Sequence, residues 1–217
     1  YVLYKTGPFK KDNIPEDISN AMNISKKNLK SQIVYFDNEQ SRDFIKNNFD
    51  DEVLNAYDSL IPSAYKADLW RYCILYKNGG IYSDLSQTIL QEFDVNENDC
   101  DILFTFDLNW DPQKKVKTPI QISFIAAKPK NEFFRYLIRK VVENVNNKYI
   151  PYSSLEITGP VFAGKLFRKF FSTDKLISGV NTYIGKDLQE HVINVPLMQK
   201  HGGYMIKIGT TQKIIKL

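Results

Sequence analysis

Three residues of the sequence carry charges at a spacing that could serve one binding site. Asp68 and Arg71 lie three positions apart in a stretch with helical character, so their carboxylate and guanidinium share one helical face. Asp84 ends a short apolar stretch that follows Gly79-Gly80. Ligands of open α/β sheets bind at the carboxyl ends of strands, so a strand that ends at Asp84 would deliver a carboxylate to the usual site.

These charged groups match what the transfer of a sugar from a nucleotide would need. Such a reaction needs an acceptor for ribose or sugar hydroxyls, a cation near the diphosphate, and a carboxylate that holds a divalent metal against the diphosphate. The metal acts as a Lewis acid that stabilises charge on the leaving nucleoside diphosphate. Asp68, Arg71 and Asp84 can supply the three roles. Taken singly, each has an ordinary explanation, because an exposed helical ion pair contributes only about 0.3–0.5 kcal/mol and Asp is a common turn residue.

The elements that must position these residues can be predicted from the hydrophobic pattern. Residues 64–77 have apolar side chains at helical spacing, with one buried face formed by Leu69, Tyr72, Cys73 and Tyr76. Glycines that follow end this helix, and a strand over residues 81–84 comes next. Further helices are predicted over residues 16–27, 39–47, 51–60, 131–146 and 160–171. Further strands are predicted over residues 1–4, 32–36, 100–106, 120–127, 191–195, 204–208 and 213–216.

The alternation of strands and helices predicts a Rossmann-type α/β fold. The chain has 217 residues, of which 43% are hydrophobic, and this suits a single domain over residues 1–217. We expect three α/β/α layers around a mixed, mostly parallel central sheet, because the second half of the chain is richer in strands.

Composition excludes several other classes of protein. The net charge is +4, but the lysines are dispersed and no nucleic-acid-binding motif is present, so a nucleic-acid partner is not expected. No apolar run approaches the roughly 18 residues that span a bilayer, which predicts a soluble domain without a transmembrane segment. The chain begins with Tyr1 and not Met, so an upstream anchor stays open. The compartment stays open as well, between the cytoplasm and the lumen of the secretory pathway.

The stretch from Ala67 to Asp84 resembles the core of glycosyltransferase family 32, the sugar-binding-region family with an Asp-x-Asp motif. The family pattern is a small residue, Asp, two apolar residues, Arg, a helix, Gly-Gly, an apolar residue, Tyr, any residue, and Asp-x-Asp. The separation of Asp68 from Asp84 is also the family's. Members include fungal initiating mannosyltransferases, ceramide-directed mannosyltransferases and, more remotely, clostridial glucosylating toxins.

The resemblance implies a GT-A-like fold and a role for each donor-site residue. It implies that Asp68 holds ribose or sugar hydroxyls, that Arg71 contacts donor sugar or phosphate, and that Asp84 works through nucleotide and metal. Arg71 and Asp84 are thus the candidate catalytic residues. Thr6 is a candidate for base contact, and Tyr82 is included among the donor-binding residues, although an aromatic in a strand is more often a core residue.

The resemblance also implies the class of reaction and its partners. The donor would be a UDP- or GDP-sugar, the acceptor a hydroxyl of a glycan, lipid or protein, and Mn²⁺ or Mg²⁺ the cofactor. Transfer would retain the anomeric configuration, by front-face attack, since no dedicated nucleophile is evident. Thr158-Gly159 resembles the family's Thr-Gly-Pro helix start and is a candidate for acceptor or sugar contact. Asp107, in a predicted loop after a strand, is another such candidate.

The sequence departs from the family pattern at Ser86, which replaces the second acid of the motif. The resemblance implies that this second acid is the direct metal ligand in relatives. The loss of a charged ligand weakens a site for a hard cation. Asp84 and Ser86 are the candidate metal ligands, because a hydroxyl can bind the cation or a water on it. Three states stay open: a metal-dependent enzyme, a metal-independent enzyme, and a nucleotide-sugar-binding module without turnover. A nucleotidyltransferase, which would release pyrophosphate, is a fourth alternative.

Overall fold

A computed structural model describes residues 2–90, 92, 101–106, 120–150, 153–170, 182–185 and 192–194 of the chain. The helices are α1 (Glu16–Asn28), α2 (Asn38–Asn48), α3 (Asp51–Ser59), α4 (Ser63–Asn78), α5 (Glu132–Asn146) and α6 (Pro160–Phe170). The strands are β1 (Val2–Thr6), β2 (Gln32–Phe36), β3 (Gly80–Ser83), β4 (Gln87–Ile89), β5 (Ile102–Phe106), β6 (Ile120–Ala127), β7 (Thr182–Gly185) and β8 (Val192–Asn194). Two short 3₁₀ turns cover Lys11–Asn13 and Ser154–Glu156.

The central sheet has six strands in the order β2-β1-β3-β6-β5-β7. The β1–β2, β1–β3 and β5–β7 pairs are parallel, whereas β6 runs antiparallel to both of its neighbours, β3 and β5. The predicted mixed, mostly parallel α/β sheet is therefore confirmed. A separate two-stranded sheet pairs β4 with β8. Within the described part of the chain, no helix combines the length and the apolar character that a membrane crossing needs.

Helix boundaries follow local capping signals and agree closely with those predicted from the sequence. Asp37 forms a reciprocal capping box with Gln40 at the start of α2. Asp50 accepts a hydrogen bond from the Val53 amide, as expected for the cap of α3. Asn131 caps α5 in the same way. These side chains bind amides that would otherwise lack a partner, and this is why the starts of the helices can be predicted.

Helix α4 lies at the centre of the fold and is more buried than its sequence pattern predicts. The pattern indicated one buried face, but every residue from position 67 to position 75 is buried. The reason is that α4 contacts strands β3 and β6 and also the helices α2, α3 and α5. Its Trp70 ring lies 5.0 Å from Phe36, 6.2 Å from Phe44 and 6.3 Å from Tyr82, centroid to centroid. Asp68 and Arg71 of this helix therefore lie inside the protein.

The strands predicted near the end of the chain can be compared with the structure only in part. Strand β8 confirms the strand predicted over residues 191–195, although it covers only three residues. The strands predicted over residues 204–208 and 213–216 lie outside the described residues. A single domain over the whole chain stays a prediction.

Candidate functional site

Arg71 joins the two acidic residues singled out in the sequence. Its Nη2 atom lies 2.9 Å from Asp68 Oδ1, and its Nη1 atom lies 3.1 Å from Asp84 Oδ1. Asp68 and Arg71 belong to α4, whereas Asp84 directly follows β3. The structure thus brings the three residues together at the carboxyl end of β3, the edge where open α/β sheets bind ligands.

The Arg71 guanidinium is fixed on several sides. Its Nη1 atom donates to the Ile122 carbonyl oxygen at 2.6 Å, and its central carbon lies 4.5 Å from the centroid of the Tyr82 ring. Burial acts to lower the pKa of Arg71, but Asp84, Tyr82 and Asp68 raise it well above its ordinary value. The group therefore stays positively charged and supplies a permanent cation in a protected position.

Asp68 is buried, and besides its contact with Arg71 it accepts a hydrogen bond from the segment just before α6. The Thr158 hydroxyl donates to Asp68 Oδ2 at 2.8 Å, and the Thr158 carbonyl oxygen accepts from the Tyr72 hydroxyl at 2.6 Å. Burial raises the pKa of Asp68 to about 6, while Arg71 and Thr158 act in the opposite direction. The Asp68 carboxyl group therefore titrates just below neutral pH.

The residues predicted to contact an acceptor or sugar have different placements. Thr158 is fully buried, so in this arrangement its hydroxyl supports Asp68 and does not lie on the surface. A Cβ atom on Gly159 would lie 3.2 Å from the Leu155 carbonyl oxygen and 3.6 Å from Asp68 Oδ2, so this position lies against the same carboxylate. Asp107 lies outside the described residues. Acceptor contact stays a prediction for all three.

Asp84 is the most open of the three charged residues. Its side chain is 31% exposed, compared with 13% for Asp68 and 6% for Arg71, so a ligand that enters from solvent meets Asp84 first. The Tyr82 hydroxyl donates to Asp84 Oδ1 at 2.7 Å. Tyr82 itself is only 1% exposed. It is therefore placed to orient the carboxylate, and a direct donor contact by Tyr82 stays a prediction.

A tight turn from Asp84 to Gln87 contains both motif positions. The Gln87 amide donates to the Asp84 carbonyl oxygen at 3.0 Å, which closes the turn, and the Asp84 amide donates to the Ser123 carbonyl oxygen of β6 at 2.8 Å. Ser86 lies within the turn and is half-buried. Asp84 and Ser86 are thus held two residues apart on one short loop.

Lys5 of β1 lies beneath this turn and was not predicted from the sequence. Its side chain is fully buried, and its ammonium donates to the carbonyl oxygens of Asp84 at 2.8 Å and Gln87 at 3.0 Å. It also donates to the Ser83 hydroxyl at 3.3 Å. Burial lowers the pKa of Lys5 to about 7, opposed by the charge of Asp84. The available signal was a lysine near the carboxyl end of an apolar first strand.

The carboxyl ends of β1 and β2 meet beside the turn, around the candidate base-contact residue Thr6. The Thr6 and Ser41 hydroxyls lie 2.8 Å apart, and Thr6 is only 4% exposed. Lys10 lies 3.2 Å from the Asp37 carboxylate, on the loop that leaves β1. A base contact by Thr6 stays a prediction.

The oxygen atoms of the turn fit a cation that is shared with a phosphorylated ligand. Among the described residues, no group of three or more His, Cys, Asp or Glu side chains could hold a metal ion without other ligands. Mg²⁺, however, is usually held by one or two carboxylates together with substrate phosphates and water. The Asp84 carboxylate and the Ser86 hydroxyl meet that smaller requirement. The residues therefore fit Mg²⁺ or Mn²⁺ only as part of a complex with a diphosphate.

Comparisons with known sequences relate this chain to glycosyltransferases. Residues 15–117 match the family model of the glycosyltransferase sugar-binding region containing the DXD motif. An uncharacterized glycosyltransferase of Acanthamoeba polyphaga mimivirus is 32% identical over 114 residues, which is 52% of this chain and 43% of that protein. Inositol phosphoceramide mannosyltransferase 2 of Schizosaccharomyces pombe is 26% identical over 143 residues, which is 64% of this chain and 38% of that protein. The chain thus spans less than half the length of these two relatives.

A solved structure shows the same fold. The structure of the PaToxG glycosyltransferase aligns with a TM-score of 0.57 at 12% sequence identity, over 79% of this chain and 68% of that one. At this level of identity the alignment supports the fold alone, which is α/β and of the GT-A type. The family match and the fold together confirm the predicted resemblance: residues 15–117 match a glycosyltransferase sugar-binding region, and this stretch contains Asp68, Arg71 and Asp84.

Proposed function

We propose that this chain, with its glycosyltransferase sugar-binding region, moves a sugar from a UDP- or GDP-sugar to a hydroxyl of a glycan, lipid or protein. The observation that carries the proposal is the Arg71 guanidinium held between the carboxylates of Asp68 and Asp84 at the end of β3. A buried permanent cation beside two carboxylates suits a donor that has both a diphosphate and sugar hydroxyls.

Each residue of this cluster has a distinct task in donor binding. Asp68 accepts hydrogen bonds from ribose or sugar hydroxyls once its carboxyl group is ionised. Arg71 attracts the diphosphate or the sugar oxygens, and its buried position strengthens that attraction, because water screens it less. Asp84, as the most exposed of the three, meets the nucleotide first. Tyr82 orients Asp84 through the hydrogen bond from its hydroxyl.

The proposed transfer retains the anomeric configuration by front-face attack. The bond between the anomeric carbon and the phosphate oxygen breaks, and the acceptor oxygen bonds to that carbon on the same face. The acceptor proton passes to the leaving phosphate oxygen, so the products are the glycoside and the nucleoside diphosphate. Arg71 stabilises the charge that develops on the diphosphate.

Mg²⁺ or Mn²⁺ would be held by Asp84 and Ser86 together with diphosphate oxygens, and it would stabilise negative charge on the leaving group as a Lewis acid. With only one carboxylate in the turn, we expect this cation to bind weakly in the absence of nucleotide.

The direct test is release of nucleoside diphosphate from a panel of UDP- and GDP-sugars, with Mg²⁺, with Mn²⁺ and with a chelator. We expect release with at least one donor, and loss of both release and donor binding in Asp84→Ala. Asp58→Ala is a matched control, because it removes a carboxylate from a surface pair with Arg42. The proposal is wrong if the protein turns over no donor and Asp84→Ala binds donors as tightly as the wild type. Pyrophosphate as the product would indicate a nucleotidyltransferase instead.

Ser86 favours a second candidate function, a module that binds a nucleotide sugar without transferring it. The variant Ser86→Asp restores the second acid of the family motif and separates the two candidates. A gain of about tenfold or more in metal-dependent rate, with unchanged donor affinity, would support a wild type limited by metal binding. Donor hydrolysis by the wild type that disappears in Asp84→Ala would count against the binding module.

A further inference from the structure

The buried ammonium of Lys5 bonds to three positions around the Asp84–Gln87 turn. Two of its acceptors are the backbone carbonyl oxygens of the first and last residues of the turn, and the third is the hydroxyl of Ser83 just before it. The lysine comes from β1, which pairs with β3 in the sheet, so it reaches the turn from the neighbouring strand. The Lys5 side chain thus bridges the first and last residues of the turn.

Burial of the Lys5 ammonium is unfavourable for the free energy of folding. An ammonium loses most of its hydration when it is buried, and hydrogen bonds to neutral oxygens compensate for only part of that loss. An apolar side chain of similar length would avoid this hydration cost but would leave the Gln87 carbonyl oxygen without the lysine donor, so the two effects on folding largely offset one another. A purely structural role does not explain why a lysine occupies the position.

We propose that Lys5 is a positioning residue of the donor site, which holds the Asp84–Gln87 turn in the shape that presents Asp84 and Ser86 to the nucleotide. The inference rests on the proposed function, because the turn is taken as the part of the site that meets the donor. Lys5 would act through the backbone of the turn and would not touch the ligand itself.

The surrounding hydrogen bonds show what would change without the ammonium. Side-chain bonds from Ser83 to Gln87 at 3.2 Å and from Gln87 to Ser123 at 2.9 Å also hold the end of the turn. The carbonyl oxygen of Asp84 would keep the Gln87 amide, but that of Gln87 would lose the lysine. We therefore expect a folded protein with a displaced turn. A displacement of about 1 Å in a reactive geometry can lower a rate by about 100-fold.

The test compares Lys5→Met, Lys5→Arg and the surface control Lys11→Met in the full chain. For each protein, kcat and KM for nucleoside diphosphate release, the melting temperature, and hydrogen exchange at the Gln87 amide are measured. We expect Lys5→Met to lower kcat by about 100-fold, with a melting temperature close to that of the wild type and faster exchange at Gln87. Lys5→Arg should recover part of the rate, and Lys11→Met should behave as wild type.

The readouts separate failure of this inference from failure of the proposed function. A folded Lys5→Met protein with wild-type kcat, or with wild-type exchange at Gln87, would overturn the inference. If the wild type releases no nucleoside diphosphate, the proposed function fails, whereas faster exchange in Lys5→Met would still support control of the turn by Lys5. Should Lys5→Met not fold, Lys5→Arg decides: wild-type exchange with a lost rate overturns the inference, and retention of both supports it.

Discussion

Two aspartate–arginine pairs in this protein have similar chemistry and opposite surroundings. Arg42 and Asp58 join α2 to α3 through two short hydrogen bonds of 2.8 and 2.7 Å, with side chains 43% and 33% exposed. Arg71 and Asp68 make one contact of 2.9 Å, with side chains 6% and 13% exposed. The pair with the more complete geometry is on the surface, and the pair in the candidate site is the buried one.

Burial, and not hydrogen-bond geometry, decides what each of these two pairs does. Water screens the Arg42–Asp58 pair, so its net contribution to stability is small in spite of its geometry. The Arg71–Asp68 pair is costly to bury, and this cost raises the pKa of Asp68. Charges held at such a cost are available to a ligand that replaces the lost hydration, and this is typical of a binding site.

The largest expected difference is between the variants Arg71→Met and Arg42→Met. Arg71→Met leaves the buried Asp68 carboxylate without its cation, so we expect it to lose about 3–5 kcal/mol of unfolding free energy. Nucleoside diphosphate release should fall by about 1,000-fold, because the cation beside the diphosphate is gone. Arg42→Met should cost at most about 1 kcal/mol and leave the rate unchanged. Urea denaturation and the release assay measure both effects. Equal losses of stability would contradict the contrast drawn between the two pairs.

The parts of the site that could be predicted from the sequence are those with local sequence signals. The segment from α4 through Gly79-Gly80 to Asp84 has local signals, and the predicted elements there agree with the structure. The full burial of α4 could not be predicted, because the helices that cover it are distant in sequence.

The long-range contacts of the site were also beyond sequence reasoning. Lys5 meets Asp84 across 79 positions, and Thr158 meets Asp68 across 90. Such contacts depend on how β1 and the start of α6 pack against α4 and β3. No periodicity or motif within one element specifies them. Asp68, Arg71 and Asp84 could thus be named from their spacing, whereas Lys5 was not named, and Thr158 was named for a sugar contact and not for its bond to Asp68.

The second prediction concerns pH and applies to Asp68. Its pKa is about 6 in the folded protein and 3.8 by the ordinary value, so the folded state binds more protons between these two pH values. Stability should therefore fall as pH rises through this window, by roughly 2–3 kcal/mol relative to Asp68→Asn, which cannot titrate. Donor affinity should move the opposite way, because the ionised carboxylate accepts the donor hydroxyls.

Denaturation and donor-binding titrations at about pH 4 to 7 check both directions. Asp58→Asn is the control, since this carboxylate pairs with Arg42 away from the candidate site and its removal should leave donor binding unchanged. If the stability difference between the wild type and Asp68→Asn does not change across the window, burial does not raise the pKa of Asp68.

A smaller effect is expected from the hydroxyl that supports Asp68. Thr158→Val removes the donor to Asp68 Oδ2, and loss of a hydrogen bond to a charged group costs about 1.5–3 kcal/mol. Thr88→Val is the matched control, because the Thr88 hydroxyl is buried and has no hydrogen-bond partner among the described residues. That substitution should be neutral or slightly stabilising. Similar losses in both variants, measured by urea denaturation near neutral pH, would show that apolar packing and not the hydrogen bond supports Asp68.

The smallest effect belongs to the surface pair itself. A double-mutant cycle of Arg42→Met and Asp58→Ala should give a coupling free energy of about 0.2–1 kcal/mol, although both hydrogen bonds are short. Raising the ionic strength to about 1 M should remove most of it, because the Debye length then falls to about 3 Å. The buried hydrogen bond of Thr158 to Asp68 should keep its value at the same salt concentration. A surface coupling above about 2 kcal/mol that resists salt would mean that geometry, and not burial, sets the strength of these pairs.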